Sequence, residues 1–129
     1  MKKVNQKASK ILTKILAAAK GEYAKLTAGS YMDLNVDVLE DTEKYTLFAM
    51  AHNYIQNGDV MADPDVEIFY SKDLDAFFPI AIQHATGHYL KAAWIVNGVI
   101  EKFRPRAQRE LATFVGTWAA NIKAQGFLA

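Results

Sequence analysis

The chain has no cysteine, which excludes a disulfide framework, a zinc–thiolate centre and a thiol nucleophile. It also lacks any apolar run approaching the length of a membrane span. Met1-Lys2-Lys3 leads into the polar Val4-Asn5-Gln6-Lys7 and not into the apolar core of a signal peptide. The expectation is a soluble cytoplasmic protein with no membrane partner. Nucleophile elbows, Walker loops and the glycine fingerprint of dinucleotide folds are missing as well. No cofactor is therefore expected, and an enzyme of a familiar class is disfavoured.

Net charge is only +1 over 129 residues, yet the charges are segregated. Residues 1 to 32 carry seven lysines against Glu22, residues 33 to 75 carry eleven acids against Lys44 and Lys72, and residues 91 to 123 carry six basic groups against Glu101 and Glu110. The basic parts have helical patterning and the acidic part has strand patterning, so sheet and helices should differ in charge. Apolar residues make up 51% of the chain, enough for one α+β domain spanning residues 1 to 129 with a core of its own.

Ala8, Ile11, Leu12, Ile15, Ala19, Tyr23 and Leu26 recur at helical spacing. They predict an amphipathic helix over residues 5 to 26, with Gly21 as the place where it ends or bends. Tyr31 to Leu39 alternates, placing Met32, Leu34, Val36 and Val38 on one strand face. Two further strands, 45 to 56 and 59 to 70, flank Asn57-Gly58, the strongest short signal for a hairpin because its turn needs positive φ at both positions. Residues 77 to 84 and 88 to 96 predict two more strands around Thr86-Gly87, although 89 to 96 also suits the start of a helix. Asn97-Gly98 is another turn or cap signal. The last helix opens at Pro105, buries Leu111, Phe114, Val115, Trp118 and Ile122, and ends at Gly126 with Phe127 folding back on Ile122. The expected architecture is an antiparallel β-meander of four to five strands packed with an N-terminal and a C-terminal helix.

The hairpin turn sets a register. Gln56 should face Asp59, Tyr54 Met61, His52 Asp63 and Met50 Asp65, with Ile55, Ala49 and Leu47 meeting Val60, Val66 and Ile68 on the more aliphatic face, expected toward the helices. Pro64, which has no N–H to donate, marks a bulge or an edge that would shift the pairs beyond it by one.

In that register His52, Tyr54, Asp59, Asp63, Asp65 and Glu67 form a candidate surface site. A His52–Asp63 pair would be an acid/base dyad, and Asp63, Asp65 and Glu67 at steps of two could hold a hard cation, although the spacing is not that of a calcium loop and no metal is expected. His84 and His88 suit a metal only if they share a helix, which Gly87 opposes. Lys102, Arg104, Arg106 and Arg109 gather at the start of the last helix, where cations oppose the helix dipole and invite an anion such as nucleic-acid phosphate.

Asn57-Gly58-Asp59 with Asp63-Pro64-Asp65, Phe78-Pro79-Ile80 with Thr86-Gly87, and Arg104-Pro105 through Trp118 to Gln125-Gly126-Phe127 resemble a small bacterial family, a domain of unknown function of phage and mobile-element proteins. The resemblance covers residues 45 to 127. It implies a genomic setting and no activity. The resulting expectation is a non-enzymatic interaction module with a protein partner. The alternatives are a metal-dependent or acid/base enzyme centred on His52, Asp63, Asp65 and Glu67, and a nucleic-acid-binding accessory protein.

Overall fold

The computed structural model describes residues 1 to 128, apart from the side chains of Tyr54, Ile55, Gln56, Val60 and Ala62. Helix α1 (Gln6–Ala19) begins at Asn5, whose side chain accepts a hydrogen bond from the Ala8 N–H at 2.8 Å. Ala8, Ile11, Leu12, Ile15 and Ala19 form its buried stripe. The helix does not run on to residue 26 but ends just before Gly21, the place the sequence marked, where Lys20 and Gly21 both take positive φ. Tyr23 and Leu26 therefore belong to a strand, β1 (Tyr23–Leu26), and not to the helix.

A single antiparallel sheet follows in chain order: β1, β2 (Asp33–Asp41), β3 (Tyr45–Gln56), β4 (Asp59–Ser71), β5 (Ala76–Gln83) and β6 (Tyr89–Lys91). A separate hairpin, β7 (Ala93–Val96) and β8 (Val99–Phe103), precedes helix α2 (Pro105–Ala124). The fold is α+β with an antiparallel sheet, as expected. The sheet has six strands and not four or five, and a second sheet of two strands lies beside it. The predicted strand 88 to 96 is divided at Ala92, whose N–H donates to the Ile80 carbonyl at 2.7 Å and whose carbonyl accepts from the Arg104 N–H at 2.8 Å. Asn97-Gly98 is the turn of the second hairpin, with positive φ at both residues.

Both helices pack on one face of the sheet. Leu12, Ile15, Val115, Trp118 and Ile122 meet Leu34, Val36, Phe48, Met50, Val66, Ile68 and Phe77 there. Phe127 donates its N–H to the Ile122 carbonyl and is buried in the same core, closing α2 as its Gly126 cap implies. Phe114 is more exposed than the sequence suggests; it lies at the rim, its ring 6.1 Å from that of Trp118.

On the other face, one end of the sheet is covered by the β7–β8 hairpin. Tyr45, Phe69, Phe78, Ile80 and Ala93 form a smaller core there, with Leu47 and Ile95 packed against it. Gln108 of α2 is fully buried and ties three segments together. Its amide accepts from the Lys2 N–H at 2.7 Å and donates to the carbonyls of Lys2 at 2.7 Å and Pro79 at 3.1 Å.

Candidate functional site

The Asn57-Gly58 turn pairs Gln56 with Asp59 and Tyr54 with Met61, as predicted. Beyond it, Asn53 pairs with Ala62 but Ala51 pairs with Asp65, so Asp63 and Pro64 together stand opposite His52. This is the bulge anticipated at Pro64, and it moves every later pair by one. Met50 now faces Val66 and Phe48 faces Ile68, all four buried against the helices. The expected pairs of Met50 with Asp65, Ala49 with Val66 and Leu47 with Ile68 do not form.

The face assignment changes accordingly. His52, Met50 and Phe48 point to the helix layer, whereas Ala49, Ala51 and Leu47 lie on the opposite side with Asp65 and Glu67. The expected helix-facing role of Ala49 and Leu47 is thereby corrected, because the extra residue in β4 moves Val66 and Ile68, which made that face aliphatic, to the side of Met50 and Phe48. His52 is 9% exposed, lies 5.4 Å from the Trp118 ring and 5.6 Å from Phe127, and directs Nδ1 at the Met32 carbonyl at 3.2 Å. Asp63 instead lies 3.5 Å from Nδ1 of His84, and the His52–Asp63 dyad is not formed. The four residues of the enzyme alternative do not converge. Among the described residues no three His, Asp or Glu side chains gather as a metal ion would require. His84 and His88 flank a turn, the His84 N–H bonding the His88 carbonyl. Asp59 is exposed beside the hairpin turn, and the Tyr54 side chain lies outside the described residues.

What the bulge does bring together is a groove of about 450 Å³ on the outer sheet face. Ala49 and Ala81 form its floor, and Asp37, Leu39, Asp65, Glu67, Gln83 and Tyr89 line it. The register makes this inevitable, since Asp37, Ala49, Glu67 and Ala81 lie in one row across four strands. Alanines between long acidic side chains leave a channel. Among the described residues, Asp37, Asp65 and Glu67 meet no lysine, arginine or histidine at salt-bridge distance. Burial pushes the Asp65 carboxyl above its ordinary range, and the nearby charges of Glu67 and Asp37 push it the same way. The Tyr89 hydroxyl, 3.4 Å from a Glu67 oxygen, is raised by burial and by that carboxylate.

A second group lies at the start of α2. The indole of Trp94 is approached by Lys102 Nζ at 4.7 Å, Arg104 Cζ at 5.6 Å and Lys91 Nζ at 5.9 Å from the ring centre. Of the four basic residues expected to act together, Lys102 and Arg104 do converge. Arg106 is engaged by Glu110 at 3.1 Å, and Arg109 lies exposed farther along the helix.

A family model for a domain of unknown function matches residues 6–128. The chain belongs to the DUF6908 family. The match reaches from the first turn of α1 to the segment after α2, so it takes in both helices, both sheets and each group just described. No curated protein and no solved structure matches this DUF6908 chain.

Sequence reasoning named Asp65 and Glu67 of the acidic groove but not Asp37, Tyr89, Ala49 or Ala81. They come from four other strands, and only the full register aligns them. Lys91 and Trp94 were likewise missed. The readable signal was Asn97-Gly98, which as a hairpin folds the strand of Trp94 back on residues 99 to 103; a bulge beside Trp94 then sets it opposite Lys102.

Proposed function

We propose that this domain is a non-enzymatic protein-interaction module that holds a basic, extended segment of a partner protein in the groove between Asp37, Asp65, Glu67 and Tyr89. One observation carries the reading. One end of the outer sheet face is covered by the β7–β8 hairpin, and the open part has an alanine floor between carboxylates that no cation neutralises among the described residues. Antiparallel sheets tolerate one solvated face, but such faces normally intersperse charges of both signs. Exposed Leu39 and Tyr89 at the groove add the apolar and aromatic contact common in interface cores. An arginine or lysine side chain lying in the channel would relieve the mutual repulsion of Asp65 and Glu67, and complementary charge would speed and orient its encounter. The setting implied by the sequence resemblance is an accessory protein of a phage or mobile element, acting on host machinery.

Calorimetric titration with a lysine- and arginine-rich peptide tests this reading. Binding is expected at low salt and should weaken as salt rises. Asp65→Asn with Glu67→Gln should weaken it at least tenfold, about 1.4 kcal/mol. Equal affinity in wild type and the double variant would refute the assignment.

A further inference from the structure

We infer that Lys91, Lys102 and Arg104, gathered around Trp94, form a binding site for the phosphodiester backbone of a nucleic acid. Three elements contribute the cations. Lys91 ends β6, Lys102 stands across the β7–β8 hairpin from Trp94, and Arg104 precedes α2. Ala92 holds them in place: it is fully buried, and its two main-chain hydrogen bonds join β5 to the residue that opens α2. The main chain at Lys91 and Arg104 is thus tied together, and the hairpin register sets Lys102 beside Trp94.

The ring's part is specific. An aromatic face attracts a cation through its quadrupole, but it neither cancels the charge nor uses up the N–H donors. A carboxylate partner would do both. None of the three cations meets a carboxylate at salt-bridge distance among the described residues, whereas neighbouring Arg106 does. Trp94 therefore orients three positive groups while leaving them able to bind oxygen atoms of a phosphate.

The surroundings favour a chain of phosphates over a single one. The first turn of α2 has no acidic residue and no side-chain cap, so its positive dipole end adds to the charge. Gln108 clasps the Lys2 main chain against α2. Between that segment and the helix runs a groove of about 410 Å³ lined by Lys2, Lys3, Thr113, Thr117 and Asn121. The Thr113 and Thr117 hydroxyls donate to the carbonyls of Arg109 and Thr113. Cations thus lie on β6, the β7–β8 hairpin, the residue that opens α2 and the N-terminal segment. That distribution matches a polymer read through its backbone.

The test is fluorescence anisotropy of a labelled short single-stranded DNA over a range of salt concentrations. Binding should weaken steeply with salt. Lys102→Ala with Arg104→Ala should weaken it at least tenfold and lower the slope of log affinity against log salt by about 1.4, since each cation contributes about 0.7 on a single strand. Trp94→Leu removes no charge, so it should weaken binding while leaving the slope unchanged. Should that variant fail to fold by circular dichroism, Lys91→Ala, expected to lower the slope by about 0.7, takes its place. Absence of binding at low salt would overturn the proposal. So would wild-type affinity and slope in the double variant, or equally tight binding of a poly-glutamate peptide. Asp65→Asn with Glu67→Gln should not weaken DNA binding, which separates this site from the acidic groove.

Discussion

Asp65 carries a cost to the fold that binding in the proposed groove would explain. Burial, with Glu67 and Asp37 adding to it, raises its carboxyl above the ordinary range, so the folded state holds the proton more tightly than the unfolded state does. Stability present below the ordinary pKa is then lost as pH rises through the higher folded value. Asp65→Asn should accordingly raise the melting temperature at neutral pH, with the gain shrinking below pH about 4, where the wild-type carboxyl is already protonated. Melting curves at both pH values check this. A more stable variant that binds the basic peptide less well would be the usual exchange of stability for function at a binding site.

Among the elements, the two Asn-Gly hairpins share a turn signal but differ in what surrounds the glycine. A Cβ on Gly58 would meet open space, so Gly58→Ala should cost only the left-handed backbone penalty, about 1 kcal/mol. A Cβ on Gly98 would fall 2.5 Å from Cε1 of Tyr45, so Gly98→Ala should cost about 2 to 3 kcal/mol by adding overlap to the same penalty. Denaturant titration of the two variants measures the difference, and equal losses would show that the second hairpin does not bear on Tyr45. The first hairpin, the bulge after it and the last helix were legible in the sequence because each rests on local chemistry: positive φ at Asn-Gly, the missing N–H of Pro64, the cap at Gly126. β1 was not, since Tyr23 and Leu26 fit a helical period as well as a strand. Backbone angles at Lys20 and Gly21 decide between them. β8 was missed because its residues, Val99 to Phe103, follow a turn signal that also suits a helix cap.

For the molecule as a whole, the segregated charges in the sequence become distinct places in space. The acidic row crosses the open sheet face, and the basic groups collect around Trp94 and along α1 and α2. The division was legible, but not its geometry, because the groove draws on β2, β3, β4, β5 and β6 at once. Gln108 is the corresponding tie among layers. Gln108→Ala would leave the Lys2 amide and the carbonyls of Lys2 and Pro79 without their partner. The expected loss is about 2 to 4 kcal/mol, read by denaturant unfolding, together with faster hydrogen exchange at the Lys2 amide.

The bulge at Asp63 and Pro64 also governs how the gene can change. Side chains along β4 alternate like a two-letter frame, and the extra residue sets which letter faces inward. Losing Pro64 would remove the extra residue and leave Asn53 opposite Ala62, Ala51 opposite Asp65 and Met50 opposite Val66, with Asp65 and Glu67 still on the outer face. This segment should therefore accept an in-frame deletion of Pro64, whereas closing the ladder with both Asp63 and Pro64 retained would invert every position beyond them.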